Sequence, residues 1–234
     1  MKETIYDYND LLEMLDSFLR EPAPFWDQFY SDRNKPTPFF KNAPDENLVS
    51  YFEGQMIQPG NVLELGCGPG RNAMYMAQKG CSVDAVDISE ETIQWAKERA
   101  NGHNLQINFI HKNIFDLHIE EGRYDMVYDS GCFHHIAPHR RISYIELVKR
   151  ALKDNGFFAI TCFLEGGEFG GSEITDWEVY RLRSLQGGLG YTESKLRTIF
   201  HDFKEIEMRK MRGIEQPSEI FGLPGFLTAL FQKQ

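Results

Sequence analysis

"VLELGCGPGRN", residues 62–72, sets an apolar run against three glycines at alternate positions. Val62 to Leu65 read as a short buried strand, and "RNAMYMAQKG" after the glycines has the spacing of a helix. Gly66, Gly68 and Gly70 therefore form a strand-to-helix turn. Glycine permits positive φ there and removes the Cβ that would keep a ligand off the backbone. In open α/β sheets ligands bind outside the carboxyl ends of the strands, so this turn marks the candidate site. Its order is E-x-G-x-G-x-G, and the position that would complete G-x-G-x-x-G is Arg71. Glu64 at the strand end suits a cationic ligand better than a pyrophosphate. Asp87 closes the next apolar run, "SVDAVDI", where a carboxylate can accept two ribose hydroxyls.

Working outward, strands and helices alternate. Strands are predicted at 61–65, 82–88, 106–112, 124–130, 156–163, 204–211 and 225–231, and helices at 71–80, 90–101, 140–154 and 192–200. Such alternation implies an α/β fold, a doubly wound, mostly parallel seven-stranded sheet with helices on both faces and right-handed crossovers. Ahead of it, "YNDLLEMLDSFLR" is a helix stopped by Pro22 and Pro24. The aromatic run to Phe40 is too Pro-rich for one helix, and "ENLVSYFEG" is a short helix ended by Gly54. The division is thus a helical and aromatic N-terminal cap over 1–44 and a main domain over 45–234. "EGGEFGGSE" at 165–173 reads as a mobile loop or substrate lid.

A chain of 234 residues with 41% apolar content can bury a full core. Its net charge of −10 argues against nucleic acid as a partner. Cys67, Cys81, Cys132 and Cys162 form no CxxC pair and read as reduced thiols of a cytoplasmic protein. No window approaches a membrane span, and the N-terminus lacks an apolar signal core.

E-L-G-C-G-P-G at 64–70, with Asp87 after the second strand, resembles the S-adenosylmethionine-dependent methyltransferases of the Rossmann-like class. The likeness covers roughly residues 45–234. "CGPGRNAMYMAQKGCSVDAVDIS" is most similar to the tellurite-resistance and thiopurine methyltransferase branch, and "FWDQFYSDRNKPTPFF" resembles the N-terminal segment of the thiopurine enzymes. The resemblance implies that S-adenosylmethionine is bound and S-adenosylhomocysteine released. It places Gly66, Cys67, Gly68 and Gly70 around the methionine part with Glu64 behind them, and Arg71 and Asn72 opening the helix beside it. Asp87 would hold the ribose, Ile88 would flank the adenine, and Asn113 and Ile114 of "KNIFD" would lie near its ring. Asp129 would sit near the methyl group, and Trp26, Tyr30 and Phe39 or Phe40 would roof the site. The acceptor is expected to be a small molecule (a thiol, metalloid, halide or hydroxyl), met by a monomer or homodimer. The alternative is a cofactor- or metal-binding protein without catalysis.

"YDSGCFHHIAPHRR", residues 128–141, supplies the remaining candidates. A zinc site needs three or four converging ligands, whereas adjacent His134 and His135 tend to point apart. No metal is therefore expected. A neutral histidine beside the methyl group could orient the acceptor or take its proton, which makes His134 and His135 the catalytic candidates.

Overall fold

The computed structural model describes residues 4–101, 103, 105 and 107–234. The seven strands are β1 (Asn61–Leu65), β2 (Ser82–Asp87), β3 (Ile107–His111), β4 (Tyr124–Ser130), β5 (Leu152–Phe163), β6 (Phe203–Lys210) and β7 (Phe226–Lys233). They form one sheet in the order β3-β2-β1-β4-β5-β7-β6. The first five run parallel, and β7 pairs antiparallel with both β5 and β6. The sheet is doubly wound and mostly parallel, with an antiparallel edge.

Strand alternation divides the core. Leu63, Leu65, Val127 and Ile160 pack on one face, while Val62, Met126, Tyr128 and Ala159 pack on the other. Because β1 and β4 pair Glu64 with Tyr128 and Leu65 with Asp129, Glu64 shares the Tyr128 face and Asp129 the opposite one.

The helices are α1 (Tyr8–Asp16), α2 (Pro22–Ser31), α3 (Glu46–Glu53), α4 (Arg71–Gln78), α5 (Glu90–Ala100), α6 (Arg141–Ala151), α7 (Asp176–Leu182) and α8 (Glu193–Ile199). Several bounds differ from the sequence expectation. The first helix stops at Asp16 rather than Arg20. Pro22 and Pro24, read as breakers, open α2, where a missing N–H costs no hydrogen bond. The helix expected to reach Asp154 ends at Ala151, and Leu152 already pairs with Tyr124 as the start of β5. Helix α7 was absent from the sequence reading, although Thr175 and Glu178 close a capping box at its start. Gln106, expected to open the third strand, lies outside the described residues.

The N-terminal segment lies against the carboxyl edge of the sheet. Ser89, N-cap of α5, donates its hydroxyl to Asp27 Oδ1 of α2 at 2.7 Å. Asp16 at the end of α1 pairs with Arg140 and, at 2.8 Å, with His139 Nε2. Phe40 packs edge-on against Trp95 at 5.1 Å between ring centroids. Among the described residues no helix is long and apolar enough to cross a membrane.

Candidate functional site

A cavity of about 830 Å3 opens at the carboxyl ends of β1, β2, β4 and β5, beneath the N-terminal segment. Its floor is the glycine turn. Gly66, Gly68 and Gly70 all take positive φ, but they serve different ends. A Cβ on Gly66 would stand 2.6 Å from Cys132 Cβ, and one on Gly70 would stand 3.1 Å from Ala96 Cβ and Phe109. Those two glycines let neighbouring elements close together. At Gly68 the nearest atom to an added Cβ is Tyr30 Oη at 3.5 Å. Gly68 therefore keeps its backbone open to the cavity. The cavity wall includes Gly66, Cys67 and Gly68 but not Gly70.

Asp87 caps this turn. Its Oδ2 accepts the Gly68 N–H at 2.9 Å and its Oδ1 accepts the Ser89 N–H at 2.9 Å. Each oxygen retains a second lone pair. Burial pushes this carboxyl upward, opposed by the N–H groups of Ser89, Gly68 and Ile88. Ile88, Asn113 and Ile114 line the same end of the cavity, and Asn113 caps its own turn by accepting the Phe115 N–H.

Glu64 is buried at the other end of the turn, and its Oε2 has no hydrogen-bond partner in the protein. Burial drives its carboxyl well above the usual range, with the Arg71 guanidinium pulling the other way. Arg71 and Asn72 face the wall but are committed to Asp45, which is completely buried. Arg71 Nη1 lies 2.6 Å from Asp45 Oδ1, off the hydrogen-bond line. Asp45 Oδ2 accepts Tyr128 Oη at 2.6 Å and Asn72 Nδ2 at 3.1 Å, and Asn72 Oδ1 accepts the Asp45 N–H. Arg71 also donates to Ser130 Oγ at 3.1 Å and to the Ala43 carbonyl. Asp45 was missed in the sequence, since nothing local distinguishes it from any acid preceding a helix.

Asp129 does not line the cavity. Facing away from Glu64, it accepts the Cys132 and Phe133 N–H groups on Oδ1 and Tyr144 Oη on Oδ2, the last at 2.6 Å. Burial raises its carboxyl to about 6 against those donors. Its work is to fold the loop that follows β4.

That loop brings both histidines to the cavity. His134 Nδ1 accepts the Phe163 N–H at 3.1 Å, and the two rings stack 3.7 Å apart. His135 meets Trp26 edge-on at 4.8 Å, and its Nδ1 is buried with no partner in the protein. Burial lowers His134 well below its ordinary value, and burial with the nearby Arg20 lowers His135 to about 3. Burial likewise pushes the thiols of Cys67 and Cys132 and the Tyr30 phenol upward. Among the described residues, no group of three His, Cys, Asp or Glu side chains is placed to hold a metal ion.

A family described as a methyltransferase domain matches residues 62–156. An uncharacterized methyltransferase of Schizosaccharomyces pombe is 41% identical over 125 residues, covering 53% of this chain and 84% of that protein. The chain belongs to the S-adenosylmethionine-dependent methyltransferases. Within them it is similar to the probable S-adenosylmethionine-dependent methyltransferase TehB of Haemophilus influenzae, 26% identical over 67% of this chain and 59% of that one. That likeness supports the tellurite-resistance-like branch. The fold matches a Burkholderia thailandensis 1,6-didemethyltoxoflavin N1-methyltransferase with S-adenosylhomocysteine bound, at a TM-score of 0.66 and 19% identity, over 100% of this chain and 93% of that one. This methyltransferase is an enzyme, and its cofactor is S-adenosylmethionine.

Proposed function

We propose that the enzyme methylates a small molecule carrying a thiolate, a halide or a reduced metalloid. The observation that carries this reading is the single cavity joining Gly68 and Asp87 to the His134–Phe163 wall. At about 830 Å3 it lies within the ordinary range of small-molecule sites, roughly 300–1,000 Å3, and suits a cofactor with a compact acceptor.

The residues fit the cofactor. Glu64 Oε2, buried without a partner, matches an ammonium on the methionine part. Asp87 has lone pairs left for ribose hydroxyls, and Ile88, Asn113 and Ile114 border the adenine. Cys67 serves as a small turn residue, while Trp26 and Tyr30 roof the site from the cap of residues 1–44. Arg71 and Asn72 hold the turn in place through Asp45 rather than by reaching the ligand.

Bound S-adenosylmethionine supplies an electrophilic methyl group on a sulfonium. The chain's own task is to exclude water and hold a nucleophile in line, about 3 Å from the methyl carbon. Among the described residues, neither histidine of the loop after β4 nor Asp129 is poised to take a proton near neutral pH. His134 has committed its Nδ1 lone pair, so its neutral ring carries hydrogen on Nε2 and can donate but not accept. His135 is too weak a base, and Asp129 is sealed beneath the loop. Acceptors that arrive as nucleophiles fit this wall better than hydroxyls, which need a base. The histidines orient the acceptor and shape its pocket. The four free cysteines support a reducing, cytoplasmic setting, and we place the enzyme there as a monomer or homodimer.

The test is methyl-labelled S-adenosylmethionine with thiophenol, hydrosulfide, iodide, selenite plus a reductant, and catechol. Label should reach a thiol, halide or metalloid acceptor. Label in catechol alone would refute the assignment.

A further inference from the structure

Among the described residues, three side chains lining the cavity carry buried polar atoms with no hydrogen-bond partner in the protein: Glu64 Oε2, His135 Nδ1 and Thr161 Oγ1. Glu64 belongs to the cofactor end and His135 abuts Trp26 of the cap. Thr161 has been given no role. It is 1% exposed, and a hydroxyl buried without a partner costs about 1–3 kcal/mol. Because Thr161 also lines the cavity, that unpaired hydroxyl is available to a ligand atom.

Its position in the sheet says which ligand. Ser130 on β4 pairs laterally with Thr161 on β5, so the two side chains stand on one face, about 4.8 Å apart across the ladder. Ser130 is tied to Arg71, which opens the helix behind the glycine turn. Thr161 is therefore one strand further from that turn. Two residues along, Phe163 points to the same face and stacks on His134. Thr161 thus lies between the methionine end of the cavity and the aromatic wall, where a nucleophile must stand to meet the methyl group.

We propose that Thr161 binds the methyl acceptor, donating its hydroxyl hydrogen to the reacting atom beside the Nε2–H of His134. This rests on the methyl-transfer reading above and adds the residue that holds the acceptor. Two donors on one wall select an atom rich in lone pairs, and they disfavour a protonated amine, which brings only hydrogens. In the transfer, the acceptor's lone pair forms the new bond to the methyl carbon, and the electrons of the carbon–sulfur bond return to sulfur. S-adenosylhomocysteine leaves, and an anionic acceptor gives up no proton.

Thr161→Val keeps the shape and removes the hydroxyl, and Thr161→Ser keeps the hydroxyl. With whichever of thiophenol, hydrosulfide, iodide and reduced selenite the wild type methylates, Thr161→Val should raise the acceptor KM about tenfold or more. Affinity for S-adenosylhomocysteine should stay unchanged, and Thr161→Ser should recover most of the loss. An unchanged KM in Thr161→Val overturns the proposal. A second arm needs no acceptor: a hydroxyl reserved for a ligand supports no fold contact, so the urea midpoint of ligand-free Thr161→Val should equal or exceed wild type. A lower midpoint shows a structural role and overturns the assignment. If the wild type methylates no compound in the panel, the acceptor class above fails, and the midpoint alone decides Thr161.

Discussion

His134 Nδ1 and the Phe163 N–H form a 3.1 Å hydrogen bond that joins the loop after β4 to the end of β5. The bond fixes the neutral imidazole as an Nε2–H donor and removes it as a base. Turnover with a thiolate or halide acceptor should therefore show no enzyme titration between pH 6 and 8. His134→Ala should lower turnover far more than affinity for S-adenosylhomocysteine. A kinetic pKa near 6.5 that disappears in His134→Ala would restore the base role.

His135 gives a stability prediction with a definite sign. Its folded pKa, about 3, lies below the unfolded value near 6.5. Between the two, the unfolded chain binds the proton and the folded one does not. The stability held by the neutral ring is therefore complete above pH 6.5 and lost as pH falls. Relative to His135→Phe, wild type should lose about 2 kcal/mol between pH 7 and pH 5. Paired urea titrations at the two pH values read this directly, and a constant difference would count against the buried neutral imidazole.

Asp45 ties the segment before α3 to Arg71, Asn72 and Tyr128. Removing one partner leaves a buried charge without its counterpart, so Asp45→Ala should cost about 3–5 kcal/mol. Denaturant unfolding at pH 7 measures it. A loss below 1 kcal/mol would mean that Arg71 finds another partner.

The glycine turn allows fold and binding to be separated. Gly68→Ala meets only Tyr30 Oη at 3.5 Å, whereas Gly66→Ala meets Cys132 Cβ at 2.6 Å. Gly68→Ala should stay folded, with a strain cost of about 1–2 kcal/mol, yet lose cofactor binding. Gly66→Ala should lose stability first. Circular dichroism with calorimetry separates the two, and normal binding by folded Gly68→Ala would remove the turn from the site.

Much of this was legible in the residues. The seven strands follow from short apolar runs between helices, and the E-x-G-x-G-x-G turn with Asp87 marks the binding edge. What escaped depended on direction and on distance along the chain. Asp129 and Ser130 are neighbours, but the period of two sends one carboxylate under Tyr144 and the other side chain to Arg71. Asp45 meets Tyr128 across 83 positions, and Thr161 is one more β-branched residue in an apolar strand until the sheet sets it beside Ser130. Pro22 and Pro24 illustrate a different limit, since the same residues can end one helix or begin the next.

The most direct measurement is a crystal structure with S-adenosylhomocysteine. The ribose hydroxyls should lie on Asp87, the ammonium within hydrogen-bond reach of Glu64, and the sulfur should face the Thr161–His134 wall. A ligand bound with Asp87 touching no ribose hydroxyl, or with its sulfur turned away from Thr161, would contradict the account.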